Sequence, residues 1–465
     1  MLKSDAILLK KILEANHPSL YWYTPKDSID YYFNNAINSM DDSLTELQFK
    51  NKIAWAVSKI RCGHTSVRSS KSYIKYFSRN KEIQFPLFLK AWNDSLVVLG
   101  SLFRKDSIFK RGTIITSING VNNHELLDSM YQFISTDGYA DNFKSQVISF
   151  NFPSAYKNAF GISDEYNITY FDTSGNVQST IIKNYNPETD TLTKRDSAAL
   201  NIIAFPPPSK REIRRSIRLS RRSLNIDTAK SIAYLRVSTF SGSGMRKFFK
   251  ESFEKIKDEK LKNLVIDLRD NGGGSIGLST NFLKYLETKS FRVADTVAAI
   301  NRSFPYGKHI RLSLVYRAAM RFTSHKRRDG KFHFTNLEKH SYRHENDLHF
   351  NGNVYIVQGS FTFSAAAMFS SHLKGQTNVT IVGEETGGGY YGNSAVHLPS
   401  IILPQTRIGI VLPIYRVVND SARIKTGHGI PPDIYVGPSA AAIKNGIDLK
   451  MQKVRELISD KKNNN

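Results

Sequence analysis

The strongest constraint on the fold is the stretch 354–390, where two short apolar runs flank a segment of helical pattern. Val354–Val357 and Val379–Val382 have the length and the β-branched content of buried strands. Between them, Ala365–Lys374 carries small and apolar residues at helical spacing. A strand, helix and strand in this order favour a parallel or mixed sheet with a crossover helix.

Ser364 lies where the first of these strands gives way to the helix. The N-terminus of a helix favours developing negative charge, because its unpaired N–H groups and its dipole both face that charge. Serine is also a preferred N-cap residue. The local pattern therefore leaves two interpretations open for Ser364, a structural helix cap and a reactive nucleophile.

Length and composition exclude several classes of protein. The chain has 465 residues, enough for two or three domains with well-buried cores. No apolar run approaches the ~20 residues that cross a bilayer. Residues 1–23 are amphipathic and show no signal-peptide pattern. The single cysteine, Cys62, excludes an internal disulfide.

The formal net charge of +24 is the most unusual property of the composition. Such a charge can serve nucleic acid or an anionic membrane surface. Much of the excess, however, lies in Lys210–Arg222 and Arg311–Arg343, and the chain has no zinc-finger, RNP or P-loop pattern. We therefore expect no nucleic-acid partner. Lys210–Arg222 is either a solvated segment or a docking arm for an anionic partner.

Residues 1–84 have a mainly helical pattern. Asp5–Ala15 carries apolar residues at helical spacing, and Ser43–Ile60 opens with Ser-Leu-Thr-Glu, a capping-box signature. We expect Gly63 to end this second helix. That placement leaves His64 on a turn before an extended segment.

Residues 85–183 change to short β-rich runs separated by Gly, Asn and Asp turns. The segment 112–120 predicts a strand that ends in an Asn-Gly turn, and His124–Ile134 predicts a short helix. This order resembles the centre of a PDZ domain, where the helix lines a peptide-binding groove. We therefore expect a PDZ-like β-rich domain over residues 85–183.

The second half of the chain returns to alternating strands and helices. Residues 184–228 read as a Pro-rich and basic linker or insertion. Residues 229–440 predict an α/β core, interrupted by an irregular basic insertion at 302–350. Residues 441–465 predict a C-terminal helix and a polar tail. The fold class is thus α/β, or α+β multidomain.

Several separate motifs follow one another in this core. They are D-L-R-x-N-x-G-G at 267–274, S-A at 364–365, V-G-E-x-T-x-G at 382–388, L-P at 398–399 and G-I-x-P-D at 429–433. Together they resemble the tail-specific (C-terminal processing) serine peptidase family, which includes the tricorn core protease. The resemblance spans roughly residues 230–440 and implies a crotonase-like ββα protease core behind a PDZ-like domain.

The resemblance implies acyl-enzyme cleavage of polypeptides, without a metal or an organic cofactor. Ser364 would be the nucleophile, which needs a base within hydrogen-bond reach. The backbone N–H groups of Gly273 and Ala365 would form the oxyanion hole. The PDZ-like region would capture a substrate C-terminus. For many bacterial members the family implies a periplasmic or cell-envelope location.

The family divides over the identity of the base. One branch has a lysine where this chain has Gly389, so a Ser–Lys dyad is not expected. The tricorn-like branch uses a histidine from a Gly-His-Ser/Thr motif, which this chain has at residues 63–65. We therefore expect His64 to be the general base.

The group that orients His64 remains open. The tricorn-like branch has a glutamate shortly before its final motif, where this chain has Lys425 and Thr426. Thr426 and Asp420 are the candidate third members. Loss of an orienting carboxylate lowers the rate of a serine protease steeply. A second hypothesis is therefore a peptide-binding protein without turnover on the same scaffold.

Overall fold

A computed structural model of the chain describes residues 1–80, 82–188 and 209–463. Within these ranges, no helix has both the length and the apolar character needed to cross a membrane. The fold is a mixed α/β arrangement of helices and several sheets, as the sequence predicts. Its elements are given below in chain order.

The first region is mainly helical, in agreement with its pattern. Its elements are α1 (Leu2–Asn16), α2 (Lys26–Asn38), α3 (Glu46–Ser58), β1 (Val67–Arg68) and α4 (Lys71–Arg79). The apolar faces of α1 to α3 are buried, because each presents apolar residues at the spacing of one helix face.

Two details of α3 differ from the prediction. The capping box is formed by Thr45 and Gln48, not by Ser43 and Glu46. Thr45 Oγ1 accepts the Gln48 N–H, and the Gln48 side chain accepts the Thr45 N–H in return. The helix also ends at Ser58 rather than at Gly63. The chain reverses earlier because Arg61 adopts a left-handed conformation with φ 57°.

The second region is a β-rich unit with its own apolar core. Its elements are β2 (Leu87–Trp92), β3 (Ser95–Ser101), β4 (Ile114–Ile118), β5 (Val121–Asn122), α5 (Asn123–Tyr131), α6 (Asp141–Phe150), α7 (Phe152–Phe160), β6 (Glu165–Phe171) and β7 (Val177–Lys183). The sheet is antiparallel, in the order β2-β3-β4-β6-β7, with β5 paired to β4. Its likeness to a PDZ domain stays a prediction.

The third region begins with α8 (Lys210–Arg221) and β8 (Arg222–Asp227). Residues 210–227 of the predicted Pro-rich and basic linker or insertion thus form a helix and a strand. Ser209 and Glu212 form a capping box that starts the helix, and β8 is an edge strand of the main sheet. The Pro-rich part of the predicted linker lies in 189–208, outside the described residues.

The remaining elements complete the core. They are β9 (Ile232–Val237), α9 (Met245–Asp258), β10 (Asn263–Asp267), α10 (Ile276–Leu283), β11 (Thr296–Ala299), α11 (Ser313–Thr323), β12 (Ser324–Lys326), β13 (Phe332–Phe334), α12 (Thr335–Lys339), β14 (Asn353–Gln358), α13 (Ala365–Leu373), β15 (Val379–Gly383), β16 (Gly392–Ala395), β17 (Ser400–Ile402), β18 (Gly409–Val411), β19 (Tyr415–Val418), β20 (Ile434–Tyr435), α14 (Ala440–Asn445) and α15 (Leu449–Asn463).

The main sheet has the order β20-β15-β14-β10-β9-β8, and all of its pairs are parallel except β8–β9. Helices α9, α10 and α13 cover one face, where Phe249, Phe282 and Phe369 stack on one another. Helix α15 covers the other face with Val454 and Ile458. Because its strands are parallel, their carboxyl ends meet at one edge.

A second sheet, in the order β12-β13-β11-β19-β16, lies beside the first. It uses residues of the segment 302–350, which contains α11, β12, β13 and α12 and is therefore not an irregular insertion. The N-terminal helices share one apolar core with this sheet, including Leu9, Phe33, Val297 and Tyr415. The first region thus packs directly on the third.

The aromatic stack under the main sheet allows a test of the fold. Phe282 is fully buried between Phe249 and Phe369. We expect Phe282→Ala to lower the free energy of unfolding by about 3–5 kcal/mol, because it leaves a cavity that the sheet cannot refill. The matched control is Phe322→Ala in α11, where the ring is 85% exposed and the expected change is under about 0.5 kcal/mol. Chemical denaturation would measure the free energy of unfolding of both variants. Similar losses of that free energy in the two variants would contradict the packing described here.

Candidate active site

Ser364 lies at the carboxyl end of β14, after a short turn. Its backbone has φ 55° and ψ −124°, a conformation that residues other than glycine rarely adopt. The helix α13 begins at the next residue, but the Ser364 hydroxyl caps none of its N–H groups. The hydroxyl lies instead 2.9 Å from His64 Nε2. Ser364 thus occupies the N-cap position of α13, but its side chain does not cap the helix.

His64 reaches Ser364 from the turn that follows α3. The imidazole is mostly buried, and its ring lies 4.8 Å from the ring of Phe363. A side chain on Gly63 would come within 2.6 Å of the same ring, which explains the glycine. Burial lowers the pKa of His64 to about 4. The imidazole is thus neutral near pH 7, and its Nε2 can accept the serine proton.

The turn after β10 supplies backbone donors beside the serine. Asn271 is buried, and its side chain donates to Val237 O (2.9 Å) while accepting the Gly273 N–H (2.8 Å). Gly273 has φ 97°, and a Cβ there would lie 2.6 Å from Ser364 Cβ and 3.0 Å from Ala365 N. The structure therefore brings Gly273 and Ala365 together at Ser364, as the sequence predicts.

The two amides differ in what they offer to a substrate. The N–H of Ala365 opens the helix α13 and makes no hydrogen bond in the described part of the chain. The N–H of Gly273, in contrast, is bonded to Asn271. Within the same turn, the N–H groups of Gly272 and Gly274 have no hydrogen-bond acceptor among the residues described. A second oxyanion donor from these neighbours would leave the Asn271 bond intact.

The two candidate third members do not reach His64. Thr426 Oγ1 accepts the His428 N–H at 3.3 Å, in a turn of its own. Asp420 pairs with Arg423 at 3.2 Å and accepts the Ala422 N–H. His64 Nδ1 is buried, and it makes no hydrogen bond to any residue that the structure describes.

Asp137 is a carboxylate beside His64 that sequence reasoning missed. Its Oδ1 accepts the Gly63 N–H at 2.8 Å, and the carboxyl also accepts the Gly389 N–H. Its Oδ2, like His64 Nδ1, is buried without a partner in the described ranges. Burial raises the pKa of Asp137 to about 7.

The location of Asp137 bears on the missing glutamate. Tyr139 N–H donates to Gly427 O at 2.7 Å, so the chain after Asp137 lies against the segment where the family motif would carry its acidic residue. The only sequence signal at this position is an Asp-Gly pair, which pattern reading assigns to a turn. Nothing in that signal connects Asp137 to His64.

Comparisons with known proteins bear on the family and on the fold. The model of Peptidase family S41 matches residues 231–436. Mature CPAF complexed with lactacystin has a similar structure, with a TM-score of 0.70 and 13% identity over 100% of this chain and 99% of that chain. A candidate peptidase from Parabacteroides merdae reaches a TM-score of 0.50 and 13% identity, over 98% and 96% of the two chains. At such identities the structures establish a shared fold alone.

No curated protein sequence matches the chain. The family match nevertheless covers β9 to β20, and with them Gly273, Ser364 and Ala365. His64 lies outside the matched residues and enters the site through the packing of the N-terminal helices. Over residues 231–436 the chain therefore matches peptidase family S41, and it is a serine-type peptidase.

Proposed function

We propose that Ser364 is the nucleophile of this peptidase and that His64 is its general base. The observation that carries the proposal is the 2.9 Å contact between Ser364 Oγ and His64 Nε2. Two further observations support it. The imidazole of His64 is buried and neutral, and Ser364 has a strained backbone at the N-terminus of a helix. A serine hydroxyl is a weak nucleophile until such a base takes its proton.

In the proposed reaction, Ser364 Oγ attacks the carbonyl carbon of the scissile peptide bond and its proton passes to His64 Nε2. The Ala365 N–H and an amide of the turn 272–274 stabilise the oxyanion. His64 then gives the proton to the leaving amine, and an ester to Ser364 remains. Water, deprotonated by His64, hydrolyses that ester and restores the free serine.

The proposed substrate is an unfolded polypeptide or a protein C-terminus. The family supports it, and so do two accessible aromatic rings near the nucleophile, Phe361 and Phe150, which rest on the buried rings of Phe143 and Phe363. Phe363, next to Ser364, stacks on Phe143, and Phe361 lies between Phe143 and the half-exposed Phe150. Such rings can bind apolar side chains of an extended chain. The PDZ-like region and a periplasmic or cell-envelope location belong to the same proposal.

We further propose that Asp137 positions His64, in the role predicted for Thr426 or Asp420. It binds the backbone N–H of Gly63, directly before the histidine. It also binds Gly389 of the glycine segment, and a Cβ on the adjacent Gly388 would lie 3.0 Å from Ser364 N. A carboxylate at this place holds the histidine turn against the nucleophile. Its charge also stabilises the imidazolium that forms in the reaction.

The catalytic pair can be tested with a fluorophosphonate probe, which bonds covalently to an activated serine. We expect wild type to be labelled and to cleave an unfolded protein. Ser364→Ala and His64→Ala should lose labelling and about four to six orders of magnitude in kcat. Ser370→Ala is the control, because that serine lies in the same helix α13 but is fully buried.

The outcomes separate the two hypotheses for this scaffold. Cleavage that survives Ser364→Ala would refute the nucleophile. Tight peptide binding by a folded wild type that neither reacts with the probe nor cleaves would indicate a binding protein without turnover.

Asp137→Asn tests the positioning role. The amide keeps an acceptor for Gly63 N–H but carries no charge, so we expect kcat/KM to fall by about 10²–10⁴. Since the pKa of Asp137 is about 7, wild-type kcat/KM should rise as pH increases through that value. The Asp137→Asn variant should lack this step in its pH profile.

The stability of the wild-type fold should fall as pH increases, whereas its activity should rise. The raised pKa means that native Asp137 retains a proton that the unfolded chain releases between about pH 4 and pH 7. The unfolding free energy of wild type therefore falls across this interval, and that of Asp137→Asn lacks this contribution. We expect the difference in Tm between the variant and wild type to shift in favour of the variant as the pH is raised from 4 to 8. A variant that is less stable at pH 8 would point to a structural role alone.

A further inference from the structure

A cavity of about 940 Å³ lies between the helix α8, the strand β8 and the start of α9. Five basic side chains line it, and they are Arg214, Arg218, Arg221, Arg222 and Lys247. We call this cavity the basic cleft. Its single carboxylate is Glu251, which lies 3.6 Å from Lys247. Within the described ranges, the four arginines have no carboxylate within 4.0 Å.

The cleft holds five cations and one carboxylate, Glu251, so its positive charge is compensated only in part. Burial and the neighbouring Arg218 charge both lower the pKa of Arg222, which shows that the cations repel one another. The Arg222 guanidinium is held over the ring of Phe248 at 5.2 Å, and it donates to Ser243 O at 3.4 Å. An anion in the cleft would relieve this repulsion and would bind several guanidinium groups at once.

Backbone geometry adds to the positive potential of the cleft. The loop 241–244 lines its wall, and Gly244 begins α9 in a left-handed conformation with no side-chain cap. The first turn of this 14-residue helix lines the cleft and adds the positive potential of a helix N-terminus to that of the arginines.

The cleft adjoins the proposed catalytic site through a short series of contacts. Phe240 N–H donates to Gly273 O at 2.9 Å, and Ser275 N–H donates to Phe240 O at 2.8 Å. A Cβ on Gly274 would lie 2.5 Å from Ser241 Oγ, and one on Gly242 would lie 3.6 Å from Arg221 Nη1. An extended chain advances roughly 3.3–3.6 Å per residue. Ser364 follows β14 and Arg221 precedes β8, three strands away in the main sheet, which is roughly 14 Å at about 4.8 Å per strand. A substrate leaving Ser364 would therefore reach Arg221 after about four to five residues.

We propose that the basic cleft is a substrate subsite that binds an acidic segment of the polypeptide, about five residues from the scissile bond. The proposal rests on the proposed function of Ser364. A polypeptide fits better than a membrane or a nucleic acid because the cleft is concave and adjoins the oxyanion turn. Its cations also alternate with apolar residues, Ile217, Met245 and Phe248.

The helix α8 itself offers a matched pair of variants. Arg218 and Arg221 line the cleft, whereas Arg211 and Arg215 are exposed on the same helix and do not line it. Arg218→Gln/Arg221→Gln and Arg211→Gln/Arg215→Gln remove the same charge from the same helix. If only the total charge matters, both variants should show the same change. If the cleft binds the substrate, only the Arg218/Arg221 variant should change.

The experiment uses the full-length chain and two quenched fluorescent peptides that share one cleavage site. The peptides differ only at the three positions that lie four to six residues from the scissile bond. These three positions are Glu in one peptide and Gln in the other. We expect wild type to prefer the acidic peptide about tenfold in kcat/KM at low salt, and less at high salt because the charges are screened. The Arg218/Arg221 variant should show a ratio near one, and the Arg211/Arg215 variant the wild-type ratio.

Three results would overturn the proposal. The first is a wild type that cleaves the acidic and the neutral peptide equally well, and the second is an equal loss of the preference in both variants. The third is a preference that survives in the Arg218/Arg221 variant while that variant loses binding to phosphatidylglycerol vesicles or to single-stranded DNA. A failure of the proposed function would give a different result. In that case the Ser364→Ala variant would still cleave both peptides. In that variant, the fluorescence anisotropy of the uncut acidic peptide still tests the cleft without turnover.

Discussion

The site depends on one long-range contact, the 2.9 Å approach of His64 to Ser364 between residues 300 positions apart. Neither residue sets this distance by itself. Ser364 is fixed by the parallel strand β14 and the helix α13. His64 is fixed because the helices α1 to α3 share an apolar core with the second sheet. The geometry of the pair is therefore a property of that interface, and a shift of about 1 Å there would separate the proposed base from the proposed nucleophile.

The interface has polar anchors besides its apolar core. Asp5, in the helix α1, is buried and accepts hydrogen bonds from the N–H groups of Gln405 and Thr406 and from the Thr406 hydroxyl. Asn16 donates to Pro305 O at 3.1 Å. These bonds satisfy polar groups that would otherwise be buried unpaired, and they fix α1 against the loop between β17 and β18 and against the loop after β11. Apolar packing alone would tolerate more sliding.

Much of this arrangement could be predicted from the sequence. The strands around residues 264–268 and 354–382 are continuous apolar runs, and the motifs at their ends place Gly273, Ser364 and Ala365 in one region. His64 was within reach because a Gly-His-Thr motif is visible without any structure. Asp137 was not, because it contacts the histidine turn through a backbone hydrogen bond to Gly63, and no spacing in the chain encodes that contact. The helix α8 was missed for a related reason, since a run of arginines indicates solvation more directly than it indicates helix.

The interface between the N-terminal helices and the second sheet has a consequence for the timing of activity. Contacts between residues far apart in a chain close late in folding, because the loop entropy must be spent before they form. A partly folded chain can contain Ser364 on its own strand and helix and still lack His64. The proposed proteolytic power therefore appears only after the whole fold is complete. A chain that is still folding therefore lacks the proposed pair and cannot use it on itself or on its neighbours.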